Sequence, residues 1–397
     1  MLHSKKKILE NLLISIVILY SIMPVVSRII STYFTTYFYM LVLCLLFVFI
    51  MFYHKRRSVN QYVNLLFPFI LWQILERGVN KGSLFTQAYG ILITLIPIMI
   101  GVYVFRKKRE TIKGFGLLII SAYLITLCTT IIGLIKYPGV ARWLATVGSA
   151  QDKLFVFYNW KNIGGYELVY SLVLLYPLVI FAFKQKRINV IVAMVLSASV
   201  FLLLLLAEYT IAILFFVTST LLFMMKKNLK SKDVVWIIFF SMIVLLVFEE
   251  KVSEFLVWFG GITGSEQMSV RLEVLAEGEQ ALKSFDDKRF LYYMRSIKAF
   301  IQNPLFGTFF KGGHLGGHSF ILDTIGKGGV LGVALLVIMY KKIWRLFYKP
   351  YKNNVGYGYV VWFFVQAILL SILNPGMHLE VITFFGPILI YMIYNKE

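Results

Sequence analysis

The stretch that decides the fold class runs from Ile188 to Met225 and reads INVIVAMVLSASVFLLLLLAEYTIAILFFVTSTLLFMM. Its length is close to twice the roughly 20 residues that a helix needs to cross a bilayer. Its single charged residue, Glu208, lies near the middle, within Ala207-Glu-Tyr-Thr210. We therefore predict two membrane helices that meet at this tetrapeptide, in a chain that crosses the membrane several times.

The composition of the whole chain supports this interpretation. Of the 397 residues, 59% are hydrophobic and 15% are charged, whereas roughly a quarter of the residues in a soluble domain are charged. A formal net charge of +21 suits a nucleic-acid binder, but the basic residues form short clusters between apolar runs, where the positive-inside rule places them. We therefore expect no nucleic-acid partner. Cys44 and Cys128 lie inside apolar runs, so we interpret both as packing residues.

Apolar runs of spanning length predict an all-α, polytopic membrane protein with about twelve transmembrane helices. These runs cover approximately residues 8–26, 33–53, 62–75, 88–105, 115–135, 166–183, 188–207, 209–225, 233–249, 318–340, 356–373 and 379–394. The first run is not followed by a small-residue cleavage site, so we expect it to remain as a membrane helix.

Basic clusters occupy every second connection between these runs. They lie at residues 5–7, 55–57, 106–109, 184–187, 226–232, 341–352 and 396. Because basic connections remain in the cytoplasm, we expect both chain ends there. The bias toward Lys, Ile, Asn, Tyr and Phe is typical of an AT-rich bacterial genome, so we expect this membrane to be the cytoplasmic membrane of a bacterium. The chain then divides into an N-terminal bundle of nine spans (1–249), an extracytoplasmic loop (250–317) and three C-terminal spans (318–397).

Two of the outward connections, 136–165 and 249–317, are much longer than the others. Loops of this length between regular elements are usually functional. Within the second, Val270–Lys283 and Phe290–Gln302 have apolar residues at helical spacing. We predict two amphipathic helices that lie on the outer membrane surface.

The end of the large loop carries an ordered series of motifs. It reads Arg295-Ser-Ile-Lys-Ala-Phe-Ile-Gln-Asn-Pro-Leu-Phe-Gly307, then His318-Ser-Phe-Ile-Leu-Asp323, then Thr324-Ile-Gly-Lys-Gly-Gly-Val-Leu-Gly332. This order resembles the signature of the O-antigen ligase and O-antigen polymerase family. In that family an Arg-bearing amphipathic helix precedes an Asn-Pro-Leu-x-Gly turn, a His-Asn or His-Ser helix start and a Gly-x-x-Gly.

A second segment, Asn159-Trp-Lys-Asn162-Ile-Gly164, is similar to the family's Asn-Pro-Asn-x-x-Gly before a membrane helix. There is also one departure from the family pattern. Where members often carry Ser-Arg at a tight outer turn, this chain has Ala207-Glu-Tyr-Thr210.

The resemblance implies a polysaccharide polymerase. Such an enzyme transfers a growing glycan from undecaprenyl pyrophosphate to a lipid-linked repeat unit on the outer face of the cytoplasmic membrane, in capsule, exopolysaccharide or O-antigen biosynthesis. The implied partners are undecaprenyl-pyrophosphate-linked oligosaccharide repeat units, membrane lipids, and flippase and chain-length regulator proteins, and no cofactor is implied. A ligase of the same family differs only in its acceptor, and the sequence does not separate the two.

The residue types of the motifs suit this chemistry. An Arg guanidinium forms bidentate charge-assisted bonds to phosphate, and a neutral His can accept the proton of an acceptor hydroxyl. We therefore expect Arg271, Arg295 and His318 to be catalytic. Two structural alternatives stay open: the arginines as anchors to anionic lipid head groups, and His318 as a cap of the tenth span.

Four further residues are candidates for substrate binding, namely Asp323, His314, Asn162 and Glu380. Asp323 can also pair with Lys327 one helical turn later, His314 can be an ordinary loop residue, and Glu380 a solvated carboxylate at a helix end. In the tenth span, Gly328-x-x-x-Gly332 predicts close packing of helices.

Two other classes of protein remain as alternatives. A metal-dependent polyprenyl-phosphate sugar transferase needs carboxylates that hold the cation against the phosphate, and the expected first outer loop, Ser27–Thr32, contains none. We therefore expect no metal site, and activity that persists in a chelator. A flippase for lipid-linked oligosaccharides also has about twelve spans, but transporters typically show internal repeats, and none is evident here. We favour the enzyme.

Overall fold

The computed structural model of the protein describes residues 2–52, 95–105, 111–138, 140–141, 157–224, 229–230, 233–234, 288–309, 317–374 and 378–395, and the single positions 67, 315 and 376. Within these residues the protein is all-helical, without a β-strand, which confirms the predicted class. The helices are α1 (Leu2–Ile22), α2 (Pro24–Ile29), α3 (Thr35–Phe52), α4 (Leu95–Phe105), α5 (Ile112–Lys136), α6 (Tyr166–Lys184), α7 (Val190–Ala207), α8 (Thr210–Met224), α9 (Lys288–Gln302), α10 (Phe320–Ile343), α11 (Tyr357–Leu373) and α12 (Gly386–Tyr394).

Four helices in the described part of the chain are long and apolar enough to cross a membrane. They are α5, α6, α7, and α10 with its continuation to Tyr351; α1 and α2 make a fifth if the bent pair is one span. The predicted runs at 62–75 and 233–249 lie almost wholly outside the described residues, so the number twelve stays a prediction.

The first predicted span is not a single helix. α1 ends at Ile22, and a second helical segment begins at Pro24 at an angle of 109° to it. A proline ring clashes with the preceding helical turn but suits the first turn of a new helix, so Pro24 ends α1. The helix of the span predicted over 8–26 therefore ends at Ile22, and Ser27 and Arg28, which were predicted to lie in a loop, lie on a second helix.

The predicted division of the stretch from Ile188 to Met225 is confirmed. α7 ends at Ala207, and Glu208 follows in the left-handed conformation, with a φ of 58°. A left-handed residue just after a helix lets backbone N–H groups reach the last carbonyls. At the other end of α7, Asn189 accepts a hydrogen bond of 2.8 Å from the backbone N–H three residues later, a typical N-terminal cap.

The predicted amphipathic helix at 290–302 is confirmed as α9, and it packs against α10 through glycines. A Cβ atom added at Gly326 would lie 2.7 Å from the backbone oxygen of Ser296. A Cβ atom added at Gly329 would collide with the backbone oxygen of Pro304. Gly329 also has a φ of 55°, which interrupts α10. The predicted tenth span corresponds to α10, and its interruption at Gly329 was not predicted.

The turn from Asn303 to Gly307 fills this break. The Val330 N–H donates to the Pro304 oxygen at 2.8 Å, and the Thr308 N–H donates to the Gly326 oxygen at 3.0 Å. Backbone groups in an apolar environment must be paired, so the turn replaces partners that the break removes. The Asn-Pro-Leu-Phe-Gly motif thus fixes the end of α9 to the middle of α10.

Candidate functional site

Two of the predicted catalytic residues, Arg295 and His318, meet at one aromatic side chain. The His318 imidazole stacks on the Tyr292 ring, with the ring centroids 4.7 Å apart and the planes at 21°. The guanidinium carbon of Arg295 lies 5.1 Å from the centroid of the same ring, within the range of a cation–π contact. Arg295 is exposed and His318 is half-buried. We call these three residues the motif cluster.

Asp323 fixes the position of this cluster. Its carboxylate accepts a hydrogen bond of 2.5 Å from the Ser296 hydroxyl of α9 and lies 3.5 Å from the backbone nitrogen of Ser319. Ser319 in turn caps α10. Because His318 directly precedes this cap and Arg295 directly precedes Ser296, the buried Asp323 sets the distance between the two candidate catalytic residues. Pairing of Asp323 with Lys327 stays a prediction.

The end of α11 contacts both α9 and the start of α10. The Tyr293 hydroxyl of α9 donates to the Leu373 oxygen at 2.9 Å. The backbone N–H of Phe320, at the start of α10, donates to the Asn374 oxygen at 2.8 Å. His378 lies four residues further along the chain.

A second group of polar residues consists of Glu167, His378 and Glu380, which we call the triad. One ligand atom from each residue lies within 4.8 Å of the others, and the His378 Nδ1 is 3.2 Å from the Glu167 Oε2. The His378 side chain is only 1% exposed, whereas the Glu167 side chain is 70% exposed. Of the described residues, these are the ones that could hold a metal ion.

The His378 imidazole is held in an aromatic environment without hydrogen bonds to its nitrogens. The rings of Tyr166 and Tyr170 lie with their centroids 6.3 and 6.1 Å from it. The 3.2 Å contact with Glu167 lacks hydrogen-bond geometry, and neither ring nitrogen has a hydrogen-bond partner. Burial by itself lowers the pKa of His378, but the nearby Glu167 carboxylate outweighs it, so the pKa is raised.

A polar cavity of about 380 Å³ adjoins the triad, since Glu167 is one of its lining residues. Arg28 lines it as well, and the Arg28 Nε is buried without a hydrogen-bond partner. Most of the other lining residues offer hydroxyl, amide or backbone groups to the cavity. They are Tyr20, Ser21, Ser27, Ser31, Tyr123, Asn159, Gly164, Gly165 and Ser171. The cavity therefore suits a hydrophilic ligand.

Asn162 holds one wall near this cavity together. Its side-chain oxygen accepts from the Val25 N–H at 3.3 Å. Its amide nitrogen donates to Thr129 at 3.0 Å and to Thr126 at 3.3 Å. Asn162 has a φ of 53°, in the left-handed region that Asn enters more readily than most residues. The side chain thus joins α2 and α5 to the segment before α6, and its contact with substrate stays a prediction.

The structure brings some of the predicted site residues together and separates others. His318, Arg295 and Asp323 lie around α9, Glu380 lies in the triad, and Asn162 lies among structural contacts. Arg271 and His314 lie outside the described residues. The sequence does not predict a role for Glu167, His378 or Arg28, because no motif spacing connects residues so far apart in the chain.

Comparison with known proteins gives no match: no family model, no curated protein and no solved structure is similar to this chain.

Proposed function

We propose that this protein is a polysaccharide polymerase, which transfers a growing glycan from undecaprenyl pyrophosphate to a lipid-linked repeat unit on the outer face of the bacterial cytoplasmic membrane. One observation carries the proposal: Arg295 and His318 meet on the Tyr292 ring. They supply the two groups that this reaction needs, and they lie in the motifs that resemble the O-antigen polymerase family.

The proposed topology has twelve spans with both chain ends in the cytoplasm. In this topology α9, His318, the start of α6 and the residues Asn374 and His378 lie at the outer ends of the helices. The hydrogen bonds from Tyr293 and Phe320 to residues 373 and 374 support this grouping. The lipid-linked substrates are expected on the same side.

In the proposed reaction, the acceptor hydroxyl attacks the anomeric carbon of the growing glycan and inverts its configuration. The new carbon–oxygen bond forms as the bond to the pyrophosphate oxygen breaks, and the pyrophosphate leaves with the electron pair. His318 accepts the hydroxyl proton. Arg295, with Arg271 as a second guanidinium, binds the pyrophosphate by bidentate charge-assisted hydrogen bonds as its charge grows.

The other candidate residues have supporting roles in this proposal. Asp323 positions His318 and Arg295 through its contacts with Ser296 and Ser319. His314, Asn162 and Glu380 are proposed to lie near the bound glycan. The polar cavity supports this, because its hydroxyl, amide and carboxylate groups match the hydroxyl groups of a saccharide.

Two alternatives share part of this support. A ligase would use the same residues with a different acceptor. A transporter of the same lipid-linked glycans is favoured by one observation, the interruption of helices at Met23 and at Gly329, since transporters often bind substrate at broken helices.

A host strain carrying single variants tests the proposal. His318→Ala should stop polymer growth and leave lipid-linked single repeat units on the outer face. Arg295→Lys should also reduce polymer growth, because an ammonium group cannot replace the bidentate hydrogen bonds of a guanidinium. Arg345→Lys is the matched control, since Arg345 is also an exposed arginine but lies at the far end of α10.

The position of the accumulated lipid separates the alternatives. A transporter variant would leave the repeat units on the inner face, and a ligase variant would leave polymer of normal length unattached to its acceptor. Polymer of wild-type length and attachment in a well-expressed His318→Ala strain would refute the assignment.

A further inference from the structure

We infer that Glu167, His378 and Glu380 bind a divalent transition-metal cation, Zn²⁺ or Mn²⁺, beside the polar cavity. Their ligand atoms lie within 4.8 Å of one another. Bonds from Zn²⁺ to nitrogen and oxygen ligands of about 2.0–2.2 Å place two ligands of one ion no more than about 4.4 Å apart. Small rotations of the carboxylates would therefore close the triad on one ion. This inference does not rest on the proposed function.

The His378 imidazole distinguishes the triad from an ordinary group of acidic side chains. The His378 side chain is 1% exposed, and neither of its nitrogens has a hydrogen-bond partner, although Nδ1 lies 3.2 Å from the Glu167 carboxylate. Buried polar side chains are nearly always hydrogen-bonded, and neutral imidazole is among the commonest metal ligands. His378 also has a φ of 44°, a conformation that costs energy in a non-glycine residue and that persists mainly at functional sites.

The charges of the triad favour a dication. Two carboxylates at this separation repel each other. A bound divalent cation would neutralise both charges. The rings of Tyr166 and Tyr170 beside His378 would limit the access of water to the imidazole side of the ion.

The exposed carboxylate gives the ion access to the site. Glu167 lines the cavity and is 70% exposed, so a cation can reach the triad through it, and open coordination positions would face the cavity. Three protein ligands with an open position are typical of metal sites that bind a further ligand. One nitrogen and two oxygens suit Zn²⁺ or Mn²⁺ better than a soft ion such as Cu(I).

The location of the triad also explains why the sequence led us to expect no metal site. We based that expectation on the lack of carboxylates in residues Ser27–Thr32. In the structure Ser27 and Arg28 line the same cavity as Glu167. The carboxylates that this segment lacks are therefore supplied by α6 and by the residues before α12.

Purified full-length protein in detergent provides the test. After treatment with EDTA and removal of the chelator, Zn²⁺ or Mn²⁺ alone is titrated, and the bound metal is counted by mass spectrometry and calorimetry. We expect about one ion per chain. Glu380→Gln and Glu167→Gln should each weaken binding by at least about tenfold, a loss that even outer-shell substitutions cause in metal sites.

Two control variants and a melting curve make the result decisive. Glu208→Gln removes a carboxylate outside the triad, and His318→Ala removes the imidazole of the motif cluster; both should bind the ion as the wild type does. The ion should raise the melting temperature of the wild type and not that of Glu380→Gln. A wild type that binds no ion, or binding that is equal in the triad variants, would overturn the inference and leave His378 and Glu167 as an ion pair.

Discussion

Gly329→Ala is the substitution that most directly tests how the motif cluster is held. The new Cβ would collide with the backbone oxygen of Pro304, and the residue would keep a φ of 55°. Such backbone strain costs about 1–3 kcal/mol, and overpacking adds about 1–3 kcal/mol. We therefore expect a loss of about 2–6 kcal/mol in the packing of the α9–turn unit on α10, which would separate Arg295 from His318.

Thermal unfolding in detergent, together with polymer length in the host, measures this effect. Gly114→Ala is the matched control, because a side chain at Gly114 meets nothing within 4 Å. Alanine there should be neutral or stabilise α5 by up to about 1 kcal/mol. If Gly329→Ala melts at the same temperature as Gly114→Ala and makes full-length polymer, then the break at Gly329 does not hold the motif cluster.

Three further predictions concern other parts of the molecule. Asn162→Ala should destabilise the protein by about 2–4 kcal/mol in thermal unfolding. It removes side-chain hydrogen bonds to Val25, Thr126 and Thr129, each worth about 0.5–1.5 kcal/mol, and leaves alanine at a φ of 53°. An unchanged melting temperature would contradict this structural role of Asn162. EDTA should lower the melting temperature of the wild type but not of Glu380→Gln. Glycan transfer measured well below that temperature should continue in EDTA, because neither Arg295 nor His318 belongs to the triad. A loss of glycan transfer that added Zn²⁺ or Mn²⁺ restores would instead assign the ion to the reaction. A reporter fused after Asn228 should be cytoplasmic and one fused after Gly264 external, and finding both on one side would refute the twelve-span topology.

Local signals in the sequence predict α7, α8 and α9. The single charge of Glu208 marks the division between α7 and α8, because a carboxylate is costly in the middle of a long apolar helix. The helical spacing of apolar residues at 290–302 likewise predicts α9, which runs from Lys288 to Gln302. These features depend on residues that are neighbours in the chain.

The bend at Pro24 and the break at Gly329 were not predicted, although both residues are visible in the sequence. A proline near the end of an apolar run can be the last residue of a span or the first of a new helix, and only packing decides between them. At residues 326–332 the sequence indicates close packing, but the glycine that leaves the helix is selected by the position of the turn at Pro304.

The triad has no local signal at all. Glu167 begins α6, whereas His378 and Glu380 lie before α12, and their contact depends on how these helices pack. Taken singly, each is a carboxylate or an imidazole near a helix end, where solvated side chains are common. The motif cluster could be predicted because Arg295 and His318 lie within one short series of motifs.

The rate of glycan transfer by the purified protein tests the central claim most directly. Lipid-linked repeat units are extracted from a host strain that lacks this protein, added to the protein in detergent, and followed by glycan length. We expect polymer formation by the wild type and a loss of roughly 10²–10⁴-fold in rate for His318→Ala, the usual effect of removing a general base. Transfer by His318→Ala at the wild-type rate, or lack of any transfer by folded wild-type protein, would contradict it.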